Sequence, residues 1–127
     1  MLKVLHIITR LDRGGSAQNT LDTCLHLDHR RYEVYLAHGL SRESGMTSNE
    51  KALVRRQLDE ARACGVKIVP VTTLLRRIDP LNDLKALAAL HRIVKSIRPT
   101  VVHTPTSKAG LLGRLAAWTA GVPIIVH

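Results

Sequence analysis

Apolar positions along this chain alternate between two rhythms. Short runs rich in β-branched residues cover residues 3–8 (KVLHII), 32–39 (YEVYLAHG), 66–71 (VKIVPV), 100–103 (TVVH) and 122–127 (VPIIVH). Each has the length and composition of a buried strand. Between them, apolar residues recur three and four apart, the spacing of a one-sided helix. Ala17, Leu21, Cys24 and Leu25 form the first such stripe, with Ser16 placed to cap it. Leu53, Val54, Leu58 and Ala61 form the second, opened by the capping-box pair Thr47 and Glu50 and stopped by Gly65. Leu81, Leu84, Leu87, Ala88 and Val94 form the third. Asp79-Pro80 starts that helix, Lys95 and Arg98 suit its C-terminal dipole, and Pro99 ends it. A fourth helix is expected over residues 107–120, closed by Gly121. Residues 9–15, 40–48 and 72–78 read as loops.

Strand and helix therefore alternate from end to end. Strands this apolar are covered on both faces, which implies a parallel sheet sandwiched between helices. Right-handed crossovers leave few topologies. The expected fold is a single Rossmann-like, doubly wound α/β domain with strand order 3-2-1-4-5. Its switch point then falls between the first and fourth strands. No repeat, linker or low-complexity segment interrupts the 127 residues.

Open sheets of this type bind ligands at the carboxyl ends of their strands, beside the switch point. Two loops border that position, TRLDRGGS (residues 9–16) and HTPTSK (residues 103–108). Each runs into a helix N-terminus, where free N–H groups and the positive dipole end favour an anion. Gly14 and Gly15 are expected to supply unusual dihedrals and close approach to a phosphate. Ser16, Thr104 and Ser107 offer hydroxyl donors, and Lys108 offers a charge. His103 closes a strand, where it is either a core imidazole or a catalytic one. Gly113 reads as a close-packing position on the sheet, and Gly110 fits either packing or ligand access. Several alternatives are excluded. There is no G-x-G-x-x-G and no acidic residue after Ala37-His38-Gly39, which argues against a nicotinamide dehydrogenase. P-loop and nucleophile-elbow motifs are also missing.

Charge adds a preference for partners. Nineteen Lys and Arg against ten Asp and Glu give a net charge of +9, which favours phosphates or an anionic membrane face. Only Tyr32, Tyr35 and Trp118 are aromatic, too few for the stacking platforms of single-strand nucleic-acid binders. No nucleic acid is expected as partner. No apolar run reaches the roughly 20 residues that cross a bilayer. Cys24 and Cys64 fall on helices without metal-ligand spacing and read as buried free thiols of a reduced compartment.

Four stretches resemble one family: KVLHIITRLDRGGSAQNTL, LLRRIDPLNDLKAL, RPTVVHTPTSKAGLLGRLAAWTAGVP and the terminal IIVH. Together they are similar to the N-terminal, acceptor-side domain of GT-B fold, family 4 retaining glycosyltransferases of the bacterial surface-polysaccharide type. The resemblance implies transfer of a sugar from a nucleotide-sugar donor to a lipid-linked or saccharide acceptor, with retained anomeric configuration and without metal or other cofactor. It puts Gly14, Gly15 and Ser16 against the donor diphosphate. It puts His103, Thr104, Ser107 and Lys108 in the cleft near the acceptor. It also implies a cytoplasmic location, with peripheral contact at the inner membrane face.

The chain departs from the family at Thr100, where the family often has Asp, and in two further ways. The subgroup usually reads His-Thr-His-Ser-Ser-Lys where this chain has Pro105 and Thr106 in place of the second His and first Ser. A Thr-Val-His-Gly segment and a donor-binding domain usually follow, and these 127 residues contain neither, so no catalytic residue is assigned and the chain alone is expected to be inactive. The apolar fifth strand is expected to lie at an open edge and to promote self-association. The competing reading is a stand-alone Rossmann-like module that binds an anionic ligand or membrane surface without catalysis.

Overall fold

A computed structural model describes residues 1–39, 45–75 and 77–127, with Ser107 described by its backbone only. Five strands, β1 (Leu2–Ile8), β2 (Tyr32–Gly39), β3 (Lys67–Val71), β4 (Val101–His103) and β5 (Ile124–Val126), alternate with four helices. The helices are α1 (Gly15–His26), α2 (Ser48–Ala63), α3 (Pro80–Ile97) and α4 (Ser107–Thr119). The strands form one sheet in the order β3-β2-β1-β4-β5, with every pairing parallel. This is the expected Rossmann-like topology, with its switch point between β1 and β4. The loop expected at residues 40–48 lies partly outside the described residues, as does position 76 of the loop at 72–78.

The pleat divides the core in two. Leu5, Ile7, Val102 and Val71 face α3 and α4, and pack on Leu90, Val94, Leu112 and Ala116. Ile8, Val34 and Leu36 face α1 and α2, and pack on Leu21, Cys24, Val54 and Ala61. Gly113 lets α4 lie close to the sheet: a Cβ there would sit 2.6 Å from Thr104 Cγ2 and 3.2 Å from Ile7 Cδ1. Packing is thus the reason for that glycine. At Gly110 the added atom would collide with the His127 ring.

Three local expectations are corrected. Ser16 does not cap α1; the cap position is Gly14, and Ser16 lies one residue inside the helix. The buried stripe of α3 is Ala86, Leu90 and Val94, while Leu81 and Leu84 are exposed. Val94 and the partly buried Leu87 of the expected stripe do face the core, but this helix carries leucines on two faces, and periodicity alone takes in the exposed ones as well. Both cysteines are free, but only Cys24 is buried; Cys64 is exposed at the end of α2. Burial pushes the Cys24 thiol up to about 12.

The capping box at Thr47 and Glu50 forms as the sequence predicts. Asp79 caps α3 by accepting from the Asn82 amide at 3.3 Å. Gly65 takes a φ of +99° after α2, the left-handed stop that glycine accommodates.

Candidate functional site: a crevice between two helix N-termini

The loops that leave β1 and β4 meet. Thr9, the first residue after β1, and Thr106, just before α4, join through their hydroxyls at 3.2 Å. Around this contact opens a cleft of about 420 Å³, lined by Thr9, Arg10, Asp12, Gly14, Gly15, Ser16, Ala17, Thr106 and Lys108. The β1–β4 register, with His6 opposite His103, brings the two chain segments to the same end of the sheet.

Local chemistry shapes the first wall. Asp12 Oδ1 accepts from the Gly14 amide at 2.8 Å, a tight Asx-type turn that aims the chain into α1. Gln18 ties the helix back to this loop by donating to the Asp12 carbonyl at 2.9 Å. Neither glycine of the pair has a positive φ, so unusual dihedrals are not what they supply. Their contribution is space. A Cβ on Gly14 would meet Asp12 Oδ1 at 2.9 Å, whereas one on Gly15 would meet nothing within 4 Å. Gly15 therefore leaves room above the first turn of α1 for a group to approach the backbone closely.

Both helices that open onto the crevice lack a side-chain cap and an acidic residue in the first turn. Their first N–H groups and positive dipole ends are left without internal compensation. The two cations that line the crevice already have carboxylate partners, whereas Arg13, beside Gly14, donates to the neutral Gln18 side-chain oxygen at 3.0 Å. Arg10 Nε lies 3.6 Å from Asp12 Oδ2. Lys108 Nζ lies 2.6 Å from Asp83 Oδ1 and donates to the Arg77 carbonyl. Positive potential at this crevice therefore has backbone dipoles as one source and the Arg13 side chain as another.

The sequence-predicted residues separate into three groups. Gly14, Gly15 and Ser16 line the crevice together. Lys108 also lines it, with its ammonium turned to the start of α3. Thr104 is fully buried, and its hydroxyl lies 3.5 Å from the Val126 carbonyl. His103 lies at the end of β4, one step below the crevice, with Nδ1 3.1 Å from His6 Nδ1. The backbone of Ser107 begins α4, and its side chain is outside the described residues. Thr9, Thr106 and Asp12 line the crevice without having been singled out from the sequence. Asp12 was legible, since Asp two residues before Gly is a turn signature. The Thr9–Thr106 contact was not, because only the register of β1 on β4 creates it.

Fold and crevice together define a Rossmann-like α/β domain with a cleft between two helix N-termini at its topological switch point. Comparison with known proteins narrows this: residues 14–127 match the glycosyl transferase 4-like domain, and the chain belongs to that family. It is 47% identical over 126 residues to the Escherichia coli UDP-Gal:alpha-D-GlcNAc-diphosphoundecaprenol alpha-1,3-galactosyltransferase. That alignment covers 99% of this chain and 29% of the relative, so the chain spans less than a third of that relative's length. Two solved structures share the fold. MurG of Acinetobacter baumannii superposes with a TM-score of 0.64 at 20% identity, over 100% of this chain and 35% of its own. Anabaena HepE, solved in complex with UDP and glucose, gives 0.59 at 17% identity, over 98% of this chain and 29% of its own.

Proposed function

We propose that this chain forms the acceptor-side half of a retaining glycosyltransferase site, and that the crevice between α1 and α4 receives the diphosphate of a nucleotide-sugar donor. The observation that carries this reading is the pair of uncapped helix N-termini facing one cleft, with Gly15 open above the first. The identity to a galactosyltransferase acting on a diphosphoundecaprenol acceptor supports UDP-galactose as donor and a lipid diphosphate as acceptor. In this reading Gly14, Gly15 and Ser16 contact donor phosphate, His103 and Lys108 border the acceptor, and transfer proceeds without a metal or other cofactor. Transition-state stabilisation requires groups on both sides of the breaking bond. The isolated chain is therefore expected to show no turnover.

A lipid acceptor calls for a membrane-facing surface, and one feature fits. Leu81 and Leu84 on α3, Leu111, Leu115 and Trp118 on α4, and Ile78 between β3 and α3 are all exposed, Ile78 at 89% and Trp118 at 73%. Arg77, Lys85, Arg92 and Arg114 are exposed along the same two helices and their approach. Apolar anchors with a cationic surround suit an anionic bilayer face. In this reading the protein works at the inner membrane face. No helix among the described residues is long and apolar enough to cross a membrane. Self-association through β5 belongs to the same reading. Among the described residues β5 pairs only with β4, and Ile124 and Val126 are 49% and 44% exposed.

The test is a chimera in which residues 1–127 replace the aligned stretch of the Escherichia coli relative. Transfer of galactose from UDP-galactose to the lipid-diphosphate acceptor, undiminished by EDTA, is expected. A folded chimera without transfer, or transfer that EDTA abolishes, would contradict the assignment. Co-sedimentation with phosphatidylglycerol vesicles, weakened by Trp118→Ser, checks the membrane surface.

A further inference from the structure

Beneath the crevice lies a buried imidazole that the proposed function leaves unused. His6 is in the middle of β1 and only 3% exposed. Its Nδ1 is 3.1 Å from His103 Nδ1, and the two rings meet edge to face with centroids 5.2 Å apart at 90°. His6 Nε2 is buried without a hydrogen-bond partner. His103 is half-buried, and no described residue bonds its Nε2.

One proton must lie between the two Nδ1 atoms, and two arrangements are possible. If His103 were the donor, the His6 proton would sit on Nε2 as a buried N–H with no acceptor. Orphaned buried N–H groups are rare in proteins because they lose water and gain nothing. If His6 is the donor, its Nε2 is a bare lone pair and no N–H is stranded. Both rings are neutral near pH 7. Burial, followed by the charge of His103, holds His6 down to about 4, and burial, followed by His127, lowers His103.

We infer that His6 is a positioning residue: by donating from Nδ1 it locks His103 in the tautomer that carries its proton on Nε2. His103 is then a fixed neutral hydrogen-bond donor at the carboxyl end of β4, suited to a hydroxyl or phosphate oxygen and unable to serve as a general base through Nε2. The local chemistry stands on the His6–His103 pair itself. Its relevance to an acceptor oxygen rests on the crevice assignment above.

Nitrogen-15 NMR of the labelled chain reads the tautomers directly, with no ligand and no activity required. Long-range proton–nitrogen correlations are expected to show His103 protonated at Nε2 and bare at Nδ1, and His6 protonated at Nδ1. A His103 protonated at Nδ1, or an even mixture, would overturn the inference. In His6→Leu, with a dispersed spectrum confirming the fold, His103 should relax to a mixture. His6→Asn, whose side-chain amide can still donate from a similar position, should restore the single tautomer. An unchanged His103 in His6→Leu would refute the positioning role. In the chimera described above, His6→Leu should lower transfer and His6→Asn should recover much of it. Failure of the chimera itself would count against the glycosyltransferase reading and leave the tautomer result standing.

Discussion

Helices α2 and α3 begin by satisfying themselves, and α1 and α4 do not. Thr47 and Glu50 close a reciprocal capping box on α2. Asp79 accepts from the third residue of α3, and Asp83 adds a carboxylate in that first turn. Gly14 and Thr106, at the corresponding positions of α1 and α4, offer no side-chain cap. The start of α3 reaches the crevice through Asp83, which pairs with Lys108, but it is the two bare ends that line it. A cap contributes about 1 kcal/mol to a helix, so leaving two of four ends bare forgoes stability. It forgoes it where the topology builds a crevice, and the N–H groups that a side chain would have occupied stay available to an anion.

The largest effect that separates the two regions lies under the crevice and depends on pH. His6 has a folded pKa near 4 against an ordinary 6.5. The unfolded chain therefore binds a proton on this residue between those values and the folded chain does not. Stability is fully present above pH 6.5 and is lost as pH falls toward 4, by about 3 kcal/mol at most. His38, lowered chiefly by burial, and His103 act in the same direction. Urea denaturation between pH 7 and pH 4 should show this loss, and His6→Leu should remove the largest part of it. A flat profile in the parent would show that His6 is not held neutral.

Next in size is Gly15→Ala. Its methyl group enters open space, so the fold should be unaffected while diphosphate binding falls about tenfold, near 1.4 kcal/mol. Calorimetric titration with UDP, paired with thermal melting, separates the two. Thr47→Ala should do the reverse, costing about 1 kcal/mol of stability with UDP affinity unchanged. The smallest effect is expected from Thr106→Asp, which gives α4 the acidic cap that α3 has. Stability should rise by a few tenths of a kcal/mol, and UDP should bind more weakly because a carboxylate now occupies the anion's place. Unchanged or tighter binding by this variant would contradict a role for the end of α4.

How far the sequence reveals this arrangement differs between scaffold and site. Strand order, the capped ends and the α1–α4 crevice follow from local rules: β-branched runs, Asp79-Pro80, the Thr47–Glu50 spacing, and the right-handed crossover. The register of β1 on β4 does not, and with it go the Thr9–Thr106 contact and the His6–His103 pair, which join residues 97 apart in the chain. Lys108 shows the same limit. A first-turn lysine beside a crevice suggests a charge for a ligand, yet Asp83 of another helix lies 2.6 Å away. Gly39 is a further example. The Leu74 and Thr9 carbonyls crowd the place a Cβ would take, and neither neighbour is near it in sequence.

In the proposed function the two bare helix ends act as one anion site. Titration of the labelled chain with inorganic pyrophosphate, followed by amide chemical shifts, examines that directly. Saturable shifts are predicted at Gly15, Ser16 and Ala17 and at Ser107 and Lys108, with the capped starts of α2 and α3 unmoved. Equal shifts at all four helix starts, or none at the crevice, would contradict it.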